Sequence, residues 1–185
     1  MKMKNTANKG AEWYAERIAC LAEFTTSERY EVLRRTVAMR TRYMTVLAEN
    51  MYHGQNAAAL IRHCEAFGVQ EMHTVETLCR FEPNPETFDV GRGPFALVFG
   101  TEHAGISDEV IASADEFLRI PMCGMVESLN VSASAAILIY MLSERMRLTV
   151  GEWRMTDAQQ AETLFGWMRR SVKDADAILQ RKFKD

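Results

Sequence analysis

The stretch Ile120 to Arg147, IPMCGMVESLNVSASAAILIYMLSERMR, decides how the rest of the chain is read. A short apolar segment reaches Pro121 and runs into a glycine-containing turn. Ser128, Leu129 and Asn130 then open a helix that is apolar on nearly every side, which predicts that the helix is buried. A loop with free backbone amides, set between a strand end and a buried helix start, is suited to gripping a polar ligand.

Upstream of this stretch the pattern alternates between strands and helices. Tyr43 to Leu47 (YMTVL), MHTVE within Val69 to Glu76, Phe95 to Gly100 (FALVFG) and Phe117 to Ile120 (FLRI) read as four strands. Asn56 to Phe67 reads as a helix with Ala57, Leu60, Ile61 and Cys64 inward, Asn56 at the N-cap and Gly68 just past its end. Arg62 points away from that stripe. Ser107 caps a short helix whose first turn carries Asp108 and Glu109, favourable to its dipole. Thr77 to Pro94 holds three of the four prolines and reads as an irregular connector. The expected fold is α/β, a mostly parallel sheet covered by helices on both faces.

Helical arms flank this domain. Tyr14, Ile18 and Leu21 keep helical spacing, and a Thr25 to Glu28 capping box predicts a second helix with Tyr30, Leu33 and Val37 inward. At the other end one helix is expected from Thr156, boxed by Gln159, with Leu164, Phe165, Met168, Val172, Ala175 and Leu179 inward. The predicted division is 1–42, 43–148 and 149–185.

Composition narrows the function. The 185 residues are 48% hydrophobic and 25% charged, ordinary for a globular protein, and the net charge of −3 excludes a uniformly basic nucleic-acid binder. Contacts to RNA would have to rest on local arginine clusters, such as Arg34, Arg35, Arg40 and Arg42, or Arg145 and Arg147. Cys20, Cys64, Cys79 and Cys123 lack CxxC spacing, which points to a reduced, cytoplasmic protein. His53, His63, His73 and His103 form no metal motif, so no metal is expected. No apolar run approaches the about 20 residues of a membrane span, and no leader-like segment opens the chain. Gly91-Arg92-Gly93 precedes a strand where a dinucleotide fingerprint would follow one, and no P-loop or GxSxG elbow is present.

In open α/β sheets ligands bind beyond the carboxyl ends of the strands. Three such ends carry polar residues: Asn56 and Arg62, then Gly100-Thr101-Glu102, then the loop from Ile120 to Asn130. In this order NAAALIRHCEAFGV (Asn56 to Val69), ALVFGTEHAGIS (Ala96 to Ser107) and IPMCGMVESLNVSASAAI (Ile120 to Ile137) resemble the three signature motifs of the SpoU/TrmH branch of the SPOUT RNA 2′-O-ribose methyltransferases. The arms resemble those of the tRNA-modifying group within that branch.

The resemblance implies a trefoil-knotted α/β domain working as a homodimer, with S-adenosylmethionine as cofactor. Its cofactor contacts would come from Gly100, Ile120, Met122, Leu129 and Asn130. Arg62, Asn56, Glu102, Ser128 and Asn130 match the family's catalytic and functional positions. Arg62 would orient the ribose hydroxyl and the neighbouring phosphate, because an arginine with a pKa above about 12 is a poor base. Arg34, Arg35, Arg145 and Arg147 would contact RNA phosphates, the first pair on an N-terminal RNA-binding arm. The expected reaction is 2′-O-methylation of a tRNA ribose, at a D-loop guanosine. The alternatives are an rRNA methyltransferase of the same fold, or a non-catalytic RNA-binding dimer. One departure stands out: between Pro85 and Phe95 the family has a further helix and strand, where this chain has about ten residues. The missing strand ordinarily contributes a threonine contact to the cofactor and an edge of the knot wall.

Overall fold

The computed structural model describes residues 10–49, 54–75, 85–86, 88–100, 105–121, 123 and 129–183. In chain order the elements are α1 (Ala11–Ala22), α2 (Ser27–Ala38), β1 (Thr41–Glu49), α3 (Gly54–Ala66), β2 (Val69–Val75), β3 (Phe95–Phe99), α4 (Asp108–Ser113), α5 (Val131–Thr149), α6 (Asp157–Ser171) and α7 (Ala175–Lys182). They fall into two compact units, Thr41–Trp153 and the pair Met1–Arg40 with Arg154–Asp185.

The first unit is α/β. Its described sheet has three strands in the order β2-β1-β3, all parallel. Central β1 runs in register with β3 from Met44↔Phe95 to Ala48↔Phe99, and with β2 as far as Glu49↔Val75. Met44, Val46 and Ala48 are fully buried, as a central strand of a parallel sheet requires. β1 begins two residues earlier than its apolar pattern suggests, because polar Thr41 is paired. Its N–H reaches the Gly68 carbonyl at 2.9 Å, and its hydroxyl donates to the Trp153 carbonyl. Gly68 adopts a φ of 74°, the left-handed turn that lets the chain leave α3 and enter β2.

Four expectations for this unit need correction. Residues 117–120 form no strand; Leu118 and Ile120 pack half-buried on the core without a ladder among the described residues. An apolar run supplies side chains for a core, but a strand also needs a neighbour to accept its hydrogen bonds, and the short connector before Phe95 adds none among the described residues. α3 starts at Gly54, so Asn56 lies in its first turn and is not the N-cap, and Ile61 is 59% exposed instead of inward. α5 buries Val131, Ala135, Leu138, Ile139, Leu142 and Met146, yet leaves Tyr140 and Leu148 54% and 83% exposed. Only one side of that helix meets this core.

The second unit is helical, and it joins the two arms that the sequence suggests separately. Tyr14, Ile18 and Leu21 of α1 and Val37 of α2 share a core with Leu164, Phe165 and Met168 of α6. Trp13 meets Phe165 edge to face at 5.3 Å between centroids. Buried Arg17 lies over Trp13 at 4.0 Å and over Phe183 at 4.3 Å, so flat aromatic faces receive its charge. Thr156 and Gln159 form the expected capping box. The cap of α2 is Thr26, one residue later than expected, with its hydroxyl accepting from the Arg29 N–H. The single closing helix is two: after Ser171 the chain turns, Asp174 takes a φ of 56°, and α7 begins at Ala175. Helical spacing continues across this break because both helices face the same core. No helix among the described residues is long and apolar enough to cross a membrane.

Candidate active site

Register brings the ends of β1 and β3 together. Ala48 pairs with Phe99, so Glu49 and Gly100 are the next residues along at the carboxyl edge of the sheet. Gly100 is required by close approach: a Cβ there would lie 2.0 Å from the Gly105 carbonyl oxygen and 2.5 Å from the Ile106 nitrogen. Gly105 adopts a φ of 74° and turns the chain toward α4. At the end of this turn Ser107 caps α4, its hydroxyl accepting from the Val110 N–H at 3.1 Å.

Glu49 holds that cap. Its carboxylate is fully buried, and Oε2 accepts from the Ser107 N–H at 2.9 Å. The other oxygen, Oε1, is buried and meets no donor among the described residues. Sequence reading passed over Glu49, although the signal was there: an acid ends an apolar strand of a parallel sheet, where burial is expected.

The remaining residues are arranged around this edge or away from it. Arg62 is exposed on α3 and carries no ion pair among the described residues. Its neighbour His63 reaches Ser132 at 3.2 Å, linking α3 to the first turn of α5. That link between the first and third motifs was also missed, since a histidine on a helix has no local signature. Asn56 is half-buried in the first turn of α3. Asn130 is the N-cap of α5, with its carboxamide oxygen accepting from Ser132 N–H at 2.9 Å. Leu129 and Ile120 are half-buried, and Ile120 packs on the core. Glu102, Met122 and Ser128 lie outside the described residues.

The arginines divide. Arg34 and Arg35 are exposed on α2, and Arg34 forms a two-pronged bond to Glu31 at 3.1–3.3 Å. Arg145 and Arg147 are occupied in a way that the sequence reading did not anticipate. Arg145 donates to the carbonyls of Pro85 at 2.7 Å and Phe88 at 2.5 Å, clamping the connector ahead of β3. Arg147 donates to the Phe67 carbonyl and to Glu144, and lies over the Trp153 ring at 5.5 Å. These bonds to internal carbonyls give both residues a bracing role, with part of each guanidinium's five N–H donors employed. No group of acidic, histidine or cysteine side chains suited to a metal occurs among the described residues.

A parallel sheet whose strand ends carry a closely packed glycine, a buried acid and a capped helix presents the kind of edge at which open α/β sheets bind ligands. The structure of the A. aeolicus TrmH/SpoU tRNA modifying enzyme superposes with a TM-score of 0.68, covering 80% of this chain and 98% of that one at 22% identity. The SpoU methyltransferase AviRb from Streptomyces viridochromogenes, solved in complex with the cofactor AdoMet, gives 0.51 over 62% of each chain at 18% identity. Residues 82–140 match the model of the SpoU rRNA Methylase family. A tRNA (guanosine(18)-2′-O)-methyltransferase of Thermus thermophilus is 31% identical over 186 residues, covering 76% of this chain and 93% of the relative. The chain belongs to the SpoU methylase family.

Proposed function

We propose that this protein is an S-adenosylmethionine-dependent methyltransferase that modifies the ribose 2′-hydroxyl of a tRNA guanosine, the D-loop position 18 named for its relative. The observation that carries the reading is the 31% identity across 93% of that enzyme, supported by the His63–Ser132 contact between the first and third motifs and by the register that sets Glu49 beside Gly100. The residues suit the cofactor. A buried carboxylate oxygen without a donor among the described residues, beside the close approach of Gly100 and Gly105, suits a small ligand rich in N–H and O–H groups.

When bound, S-adenosylmethionine supplies a methyl group on an electrophilic sulfonium, so alignment is the main requirement. Arg62 holds the ribose hydroxyl and its adjacent phosphate in line. Ser128 and Asn130 shape the ligand loop, Asn130 by opening α5, Glu102 shapes the pocket of the dimer, and Asn56 stands at another of the family's functional positions. Gly100, Ile120, Met122 and Leu129 offer backbone groups to the cofactor. Arg34 and Arg35 contact phosphates, which makes affinity fall steeply with salt. Two copies pair through apolar side chains left open on α3 and α5, with Ile61, Ile137, Tyr140 and Leu148 as candidates. A trefoil knot formed by the segment ahead of α5, and a cytoplasmic location, belong to the same reading.

The test is incubation with unmodified tRNA and methyl-labelled cofactor, followed by nucleoside analysis for 2′-O-methylguanosine. Arg62→Ala is expected to lower transfer by at least about a hundredfold while leaving the fold intact. Labelling of rRNA with none of tRNA would sink the tRNA assignment.

One observation favours a second reading. The 186-residue match to the Thermus enzyme draws on only 76% of this chain, so the relative has residues without a counterpart here. The shortened connector leaves residues 117–120 without a strand partner among the described residues. A chain lacking that wall would be an RNA-binding dimer without transfer. Calorimetric titration with S-adenosylmethionine separates the two, since binding excludes the second.

A further inference from the structure

Glu49 has one oxygen employed and one without a donor among the described residues, both beyond the reach of solvent. The employed oxygen does a definable job. Gly105 and Ile106 lie close against Gly100 at the end of β3, and Glu49 receives the N–H of Ser107 just beyond them. Glu49 therefore fastens the second motif to the strand that precedes the first. The idle oxygen is harder to explain by folding alone. A carboxylate removed from water with half its acceptor capacity unfilled is a liability to the free protein. Glutamine would satisfy the Ser107 N–H equally well without carrying a charge. Replacing the acid would relieve the fold, so its presence points to a donor that arrives later.

We infer that Glu49 is a ligand-binding residue of the cofactor site, accepting a hydrogen bond at Oε1 from a hydroxyl or ammonium group of the bound nucleoside while Oε2 holds Ser107 at the start of α4. The inference rests on the methyltransferase reading and deepens it. Its location agrees: Glu49 stands beside Gly100 at the carboxyl ends of two adjacent parallel strands, where open α/β sheets bind their ligands. A bond from a donor to a buried carboxylate is among the stronger single contacts a site can offer.

Glu49→Gln tests it, because the glutamine carbonyl can accept from Ser107 N–H and its NH2 then occupies the place of Oε1. The variant presents a donor to a donor. It is expected to unfold at or above the wild-type temperature and to bind S-adenosylmethionine about tenfold or more weakly by calorimetry. Titration with 5′-methylthioadenosine, which keeps the nucleoside and lacks the ammonium, locates the donor. Weakened binding of both ligands assigns a donor on the nucleoside they share, and weakened binding of S-adenosylmethionine alone assigns the ammonium. Unchanged affinity of Glu49→Gln for both, beside a wild type that binds, overturns the inference and leaves the methyltransferase reading standing. A wild type that binds neither overturns both. Lowered thermal stability of Glu49→Gln with wild-type affinity reduces Glu49 to a structural brace and also overturns it.

Discussion

Two segments lead to the candidate site, and they are held by different means. The turn after β3 starts from a strand in register with β1, passes Gly100 against Gly105, and ends on Ser107 in the grip of Glu49. The segment ahead of α5 has no ladder among the described residues. Leu118 and Ile120 rest on the core by apolar contact, Arg92 pairs with Glu116 near its start, and Asn130 caps the helix at its end. Backbone pairing fixes register to a single residue, because a one-residue slip turns every side chain to the wrong face. Apolar contact and an exposed ion pair do not discriminate so finely. The first segment is therefore a frame, and the second depends on the cap that begins its helix.

Changes to the frame should cost most. Gly100→Ala drives a methyl group into the Gly105 carbonyl and should lower unfolding stability by about 3 kcal/mol or more. A variant as stable as wild type in denaturant titration would break the contrast. Next comes Arg145→Ala, which leaves the Pro85 and Phe88 carbonyls ahead of β3 without their donor. A loss of about 2 kcal/mol is expected in the same titration. Full stability with weakened tRNA binding would instead return Arg145 to the phosphate role expected from the sequence. On the other segment, Asn130→Ala removes one cap bond and should cost about 1 kcal/mol, with Asn130→Ser close to wild type. A larger loss would mean that the cap holds more of the segment than α5 alone.

The smallest effect lies outside both segments and calibrates them. Hydrogen bonding from Arg169 holds the Asp176 carboxyl below its ordinary range. A depressed carboxylate stabilises the fold above its unfolded pKa, near about 4, and the contribution fades as pH falls through the folded value. Both partners are exposed, so comparing wild type with Asp176→Asn between neutral and acidic pH should give well under about 1 kcal/mol.

Much of the frame could be read from residues alone. Alternation of Met44, Val46 and Ala48, Gly68 beyond α3, Ser107 before an acidic first turn and the Thr156 box each signal through local chemistry, and each stands where local chemistry puts it. Errors came where a distant group decides. Residues 117–120 have the pattern of a strand without a described neighbour to pair with, and Asn56 has the chemistry of a cap while α3 starts two residues earlier. The bonds of Arg145 and Arg147 to the carbonyls of Pro85, Phe88 and Phe67 likewise have no local signature.

The sequence by itself determined most of the order of strands and helices, most of the apolar faces and the three motifs that resemble those of RNA ribose methyltransferases, because periodicity and short-range spacing are properties of the chain. The tertiary structure alone decided which polar groups are employed. Glu49 and Ser107 stand 58 residues apart and His63 and Ser132 stand 69 apart, and no local pattern records that each pair is bonded. Burial sets the worth of such bonds, and burial exists only after the chain has folded.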